Sequence, residues 1–161
     1  MPAFYQSTYS LSVQATPEKI YEALTTWHIR EKWRKGIRIK WDGPSKAFTG
    51  QHVTFRVRGP YLGYAFGFKI TGLEPYSRIY MEYDGFTLKG RSAVEITPEG
   101  SGCSVAFHWM KVEPGHILAR VYFALGFGMR AHRARTMETL RMLKEHLEST
   151  PKPAPRLQDA K

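Results

Sequence analysis

The amino-acid pattern predicts an α+β domain, a curved antiparallel sheet of about seven strands around one long C-terminal helix, with two short helices after the first strand. Three observations carry this expectation. Between Ile37 and Trp109 apolar and polar residues alternate with the period of two that sends successive side chains to opposite faces of a strand. After Glu113-Pro114-Gly115 the period becomes 3.6, that of a helix with one apolar stripe. A helix start signal, Thr16-Pro17-Glu18, directly follows a first alternating segment.

That first segment runs from Tyr5 to Val13, with Tyr9, Leu11 and Val13 on one parity and Thr8, Ser10 and Ser12 on the other. Thr16 suits an N-cap, Pro17 the first helical position and Glu18 the positive helix end, which predicts a helix to about Leu24 burying Ile20, Tyr21 and Leu24. A second short helix is expected around Trp27 to Arg34. Strands then follow one another. Ile37, Ile39 and Trp41 oppose Arg38 and Lys40; Val53, Phe55 and Val57 oppose Thr54, Arg56 and Arg58. Beyond a turn at residues 59–63, Tyr64, Phe66, Phe68 and Ile70 oppose Gly67, Lys69 and Thr71. Ile79, Met81 and Tyr83 oppose Tyr80 and Glu82; Leu88, Ser92, Val94 and Ile96 oppose Lys89, Arg91 and Glu95; Val105, Phe107 and Trp109 oppose Ser104, Ala106 and His108. Asp84-Gly85 and Glu99-Gly100-Ser101-Gly102 supply hairpin chemistry.

In the last segment Leu118, Tyr122, Leu125, Met129, His132, Thr136, Leu140, Leu143 and Leu147 follow steps of three and four, which predicts one helix whose stripe covers the sheet. Gly126-Phe127-Gly128 interrupts it, and since helical glycine costs about 1 kcal/mol relative to alanine, a bend or loosened turn beside an opening is expected there. Residues 1–149 are expected to form a single domain and 150–161, with three prolines, a disordered tail.

Composition narrows the function classes. The 161 residues include nine Phe, nine Tyr and four Trp, so rings either pack a very large core or line a cavity. The formal charge is +10. A single cysteine, Cys103, rules out an intrachain disulfide and paired-cysteine zinc sites. The six histidines lack ligand spacing, and neither a Gly-x-Ser-x-Gly elbow nor a Gly-x-Gly-x-x-Gly loop is present, so no metal and no cofactor is expected. The first residues lack a signal-peptide pattern and no stretch reaches about 18 apolar residues, which leads us to expect a cytoplasmic protein.

The chain resembles the START-related, or SRPBCC, helix-grip superfamily, in its polyketide cyclase/dehydrase-like branch. Three stretches carry the resemblance: Leu11-Ser12-Val13-Gln14-Ala15-Thr16-Pro17-Glu18-Lys19-Ile20-Tyr21-Glu22-Ala23-Leu24 with Trp33 after it, Ile70-Thr71-Gly72-Leu73-Glu74-Pro75-Tyr76-Ser77-Arg78-Ile79, and Thr139-Leu140-Arg141-Met142-Leu143-Lys144-Glu145-His146-Leu147-Glu148. It implies a hydrophobic cavity for lipids, sterols, quinones, polyketides or plant-type hormones and, in some members, cyclisation or dehydration of a bound polyketide. It carries no shared catalytic set.

Taking the apolar parity as inward, the expected ligand-binding residues are Trp41, Phe55, Tyr64, Phe66, Phe68, Met81, Tyr83, Ser92, Phe107 and Trp109 from the sheet, with Leu125, Met129 and His132 from the helix. So many rings on one concave face are hard to pack at interior density, which favours unfilled volume over a solid core. The leading expectation is a binder of a hydrophobic small molecule: lipid, isoprenoid or quinone, or aromatic polyketide. A cyclase or dehydratase is the enzymatic alternative, with His132, Tyr64 and Tyr83 as proton-transfer candidates. Arg130, Arg133 and Arg135 flank His132, where one could clamp a ligand carboxylate at the cavity mouth.

The outward parity collects Arg38, Lys40, Arg56, Arg58, Lys69, Lys89 and Arg91. Such a face suits a solvated surface, or transient contact with an anionic membrane or an acidic carrier protein, the basis of a partner-binding alternative. Nucleic acid is not expected, because the rings lie on the opposite parity from the cations, whereas single-strand binders interleave them.

Overall fold

The computed structural model describes residues 4–58 and 64–149, so the expected turn at 59–63 and the expected tail at 150–161 lie outside the described residues. In chain order the elements are β1 (Tyr5–Val13), α1 (Pro17–Thr25), α2 (Trp27–Trp33), β2 (Ile37–Trp41), β3 (His52–Val57), β4 (Tyr64–Glu74), β5 (Arg78–Asp84), β6 (Leu88–Glu99), β7 (Gly102–Pro114), α3 (Ile117–Ala124) and α4 (Phe127–Ser149). The strands form one antiparallel sheet in the order β1-β7-β6-β5-β4-β3-β2. This is the α+β helix-grip architecture, a curved sheet closed over by a long C-terminal helix.

Local chemistry sets the elements. Thr16 caps α1 by accepting from the Lys19 amide at 3.5 Å, with Pro17 beginning the helix. Register shifts between Ile70 and Gly72 in β4 and between Arg91 and Ser92 in β6 mark bulges, which bend and twist a sheet. At the second, Ser92 pairs with Trp109 and Arg91 with Lys111, leaving Met110 extra in β7 and moving the inward parity from Trp109 to Val112.

The loop joining β2 to β3 is stapled from inside. Buried Trp27 Nε1 donates to Gln51 Oε1 at 2.8 Å, and Gln51 Nε2 donates to the Asp42 and Pro44 carbonyls at 2.7 and 2.9 Å. Gln51→Leu strands three of those groups, so it is expected to cost about 2 kcal/mol in denaturant unfolding. A change within a few tenths would mean that water replaces the amide. On the outer face a polar chain crosses four strands: Thr8 Oγ1 to His108 Nδ1 (3.0 Å), His108 Nε2 to Glu95 Oε2 (3.1 Å) and Arg78 Nη2 to Glu95 Oε1 (2.6 Å). Arg78 holds the Glu95 carboxyl below its usual range. Because these groups are partly exposed, Glu95→Ala is expected to cost only about 1 kcal/mol, with the loss shrinking in high salt.

The single C-terminal helix read from the sequence is two helices. Leu125 caps α3, and Gly126, at φ +79, takes the left-handed conformation that ends a helix. The interruption resets the stripe: Ala119 and Phe123 face inward on α3, whereas Leu118 and Leu125 are 74% and 65% exposed. Gly128 is no loosened turn. A Cβ there would meet the Phe123 ring, so the missing side chain is what lets α3 fold back against α4.

Packing changes along α4. Leu140 and Leu143 are completely buried in the main core with Ile20 and Leu24 of α1 and Ile79, Val94, Ile96 and Val105 of the sheet. The preceding two turns face the sheet with Gly128, Ala131, His132, Thr136 and Thr139, mostly smaller or more polar than leucine. Large side chains fill one end of the sheet's concavity, and shorter ones leave the other end open.

Candidate functional site: a ring-lined cavity beneath the fourth helix

That open end is a cavity of about 470 Å³ between the inner face of β2 to β7 and helices α2, α3 and α4. Its volume falls in the range of small-molecule sites. Antiparallel register brings Phe55 opposite Phe66. Ring centres then lie 5.5 Å apart for Phe55 and Phe66, 5.2 Å for Phe55 and Phe68, and 6.2 and 6.1 Å from Tyr83 to Phe66 and Phe68. Rings that hold one another edge-on stand as a wall without collapsing into the space. On the opposite side Trp109 stacks on His132, with Phe123 next to it. Exposed Tyr64 and Tyr122 lie at the rim.

Of the residues expected to bind a ligand, Phe55, Tyr64, Phe66, Phe68, Met81, Tyr83, Ser92, Phe107, Trp109 and His132 lie on the cavity wall. Three do not. Trp41, on the edge strand β2, packs half-buried against the main core; Met129 packs on the small cluster of Trp109, Val112 and Phe123; Leu125 is exposed at the end of α3 because Gly126 breaks the helix there. Among the flanking arginines, Arg135 reaches the wall and pairs with Glu138 at 3.2 Å, while Arg130 and Arg133 face solvent.

The wall residues outside the sequence reading include two buried arginines. Arg30 follows Trp27 by three residues on one face of α2, Arg34 caps the end of that helix, and all three are buried. The step of three from Trp27 to Arg30 was the available signal. Arg34 is well satisfied: it donates to Glu138 Oε2 (3.3 Å), Thr139 Oγ1 (2.8 Å) and the Lys35 carbonyl (3.0 Å). Arg30 donates from Nη1 to the Leu24 carbonyl at 3.2 Å, and its guanidinium carbon lies 4.9 Å from the Phe55 ring centre and 5.9 Å from that of Trp27. Its Nε has no partner.

Burial sets the protonation states. It pulls Arg30 down to about 10, which leaves the side chain charged at neutral pH. It depresses His132 to about 4, so that imidazole is neutral there. Burial raises the Tyr83 and Tyr64 phenols above their ordinary value, so both keep their protons; beside Tyr83, Ser92 and Trp109 and then Arg30 oppose the rise in part. Ser92 Oγ is buried without a hydrogen-bond partner. Among the described residues no group of three or more His, Cys, Asp or Glu could hold a metal, and no helix is long and apolar enough to cross a membrane.

The family model described as Activator of Hsp90 ATPase homolog 1-like protein matches residues 14–148. The chain belongs to that family. With it comes membership of the SRPBCC, polyketide cyclase-like, helix-grip superfamily. Solved structures similar to this chain include the Aha1 dimer from Colwellia psychrerythraea, 20% identical, TM-score 0.65, covering 92% of this chain and 99% of that one. KanY is 16% identical with a TM-score of 0.70, over 91% of this chain and 99% of its own. A protein from Thermus thermophilus is 11% identical with a TM-score of 0.73, over 92% of this chain and 100% of its own. At such identities the likeness is one of fold. No curated protein matches. The family supports, in general terms, a ligand-binding helix-grip domain.

Proposed function

We propose that the protein binds a hydrophobic small molecule, a lipid, an isoprenoid or quinone, or an aromatic polyketide, in the cavity between sheet and α4. The observation that carries the reading is the unfilled volume of about 470 Å³ walled by mutually supporting rings. Filling it with a ligand removes apolar wall from water, a gain of about 25 cal/mol per Å². Ser92 tests it: its hydroxyl is buried and unpaired on the wall, so Ser92→Leu relieves an orphan polar group while intruding on the space. The variant is expected to stay folded and to lose at least about tenfold in affinity for a neutral hydrophobic fluorophore. Unchanged affinity would place the binding elsewhere. The outer-face change Lys40→Glu is expected to leave that affinity unchanged.

Cyclase or dehydratase chemistry has weaker support. Its candidate groups suit hydrogen bonding to a carbonyl better than proton exchange near pH 7, because burial keeps the His132 imidazole neutral and the Tyr64 and Tyr83 phenols, raised above their ordinary value, keep their protons. The partner-binding reading has one observation in its favour: Arg38, Lys40, Arg56, Arg58, Lys69, Lys89 and Arg91 are all exposed. Contact with an acidic carrier protein or an anionic membrane through that face is expected to weaken steeply between about 50 and about 300 mM salt.

A further inference from the structure

Arg30 is the least expected group in the cavity wall. It is 5% exposed, and among the described residues it has no carboxylate partner. Its neighbour Arg34 shows what a settled buried arginine looks like here, closed by Glu138, which also takes Arg135 on the same oxygen. Around Arg30 the rings of Trp27 and Phe55 cover the guanidinium, and such cation–π contacts satisfy its faces, not its edge N–H donors. One edge donor reaches the Leu24 carbonyl and Nε reaches nothing. A lone buried charge is unfavourable unless a counter-charge completes it.

Two further donors stand on the same wall. The Tyr83 phenol, close enough to Arg30 to feel its charge, lies beside Ser92, whose buried hydroxyl is also unpaired. A guanidinium edge and two hydroxyls, in an otherwise ring-lined space, can all donate to one group, and the guanidinium has no carboxylate to answer its charge. A carboxylate has two oxygens and about four lone-pair sites, brings the missing negative charge, and matches the guanidinium fork.

We propose that the ligand is a hydrophobic carboxylic acid, its carboxylate paired with Arg30 and accepting from Tyr83 and Ser92, its apolar body against Phe55, Phe66 and Phe68. This rests on the cavity being a ligand site and adds the chemistry of the headgroup. An aliphatic and an aromatic acid share that chemistry, and the experiment separates them.

Titration calorimetry on the full chain at pH 7.5 compares decanoic acid with decanol, and 2-naphthoic acid with 2-naphthylmethanol. The acid of at least one pair is expected to bind about tenfold or more tightly than its alcohol, the pair showing whether the apolar body is aliphatic or aromatic. Arg30→Met keeps the stem and removes the charge. It is expected to bring that ratio close to one by weakening the acid alone, and to unfold at a higher temperature than the wild type because the lone cation is gone. Equal binding of acid and alcohol by the wild type, or a preference that survives Arg30→Met, would overturn the assignment while leaving the cavity as a neutral hydrophobic site. If neither member of either pair bound, the cavity reading itself would fall, and this proposal with it. Should Arg30→Met not fold, the wild-type ratios alone decide.

Discussion

Leu140→Ala is expected to lower the unfolding free energy by about 3 to 4 kcal/mol, and Leu143→Ala by a similar amount. Both side chains are wholly buried where α4 seals against α1 and the sheet, and truncating a leucine in such a place removes its transfer energy and leaves a void that the neighbours cannot close. Set against a typical total of about 5 to 15 kcal/mol, either change leaves a marginal protein. On the cavity-facing stretch of α4, Thr139→Ala is expected to cost less, about 1 kcal/mol, because the methyl it loses borders open space and the bond it loses from Arg34 is one of several that hold that guanidinium. Chemical denaturation of the Leu140 and Thr139 variants side by side checks the contrast. Comparable losses would mean that the cavity end of α4 is packed like the core end.

Acidification supplies the second large effect. The His132 imidazole, stacked on Trp109 and held near 4 by burial, binds its proton less readily in the native state than in the unfolded chain, where its ordinary value is 6.5. Its contribution to stability is therefore complete above pH 6.5, declines as pH falls from 6.5 to 4, and is fully lost below that, a total of about 3 kcal/mol. His132→Phe keeps a ring against Trp109 and has nothing to protonate. Its stability should stay nearly flat over the range in which the wild type weakens, converging with the carboxylate-driven losses only below about pH 4.5, where Glu95 and Glu148, both held below their usual range by partners, take up protons. Parallel profiles for wild type and variant would show that His132 is solvated and titrates normally.

The inward-facing rings were legible because strand parity is local: once Val53, Phe55 and Val57 share a face with Tyr64, Phe66 and Phe68, register brings them together whatever the rest of the chain does. The first strand and the capped α1 were legible for the same reason, as properties of a few consecutive residues. The two-helix ending was not. Gly126 announces a break, but the rotation of α3 relative to α4 depends on Phe123 nesting against Gly128, a tertiary contact. Leu118 and Leu125 fit the stripe by count and miss the core by rotation. Arg30 was hidden differently, since a charge on a seven-residue helix is ordinarily solvated, and only the fold brings Trp27 and Phe55 over it. The volume left open belongs to neither sheet nor helix alone, because it follows from α4 trading leucines for Ala131, His132 and Thr136 where the sheet curves away.

The most direct test of ligand binding is native mass spectrometry of freshly purified protein, with small molecules from a solvent extract identified in parallel. A discrete added mass is expected, released on unfolding and matched in the extract by a hydrophobic compound. A clean unliganded mass, together with failure to bind hydrophobic probes at micromolar concentration, would contradict the account and shift the function to the basic outer face of the sheet.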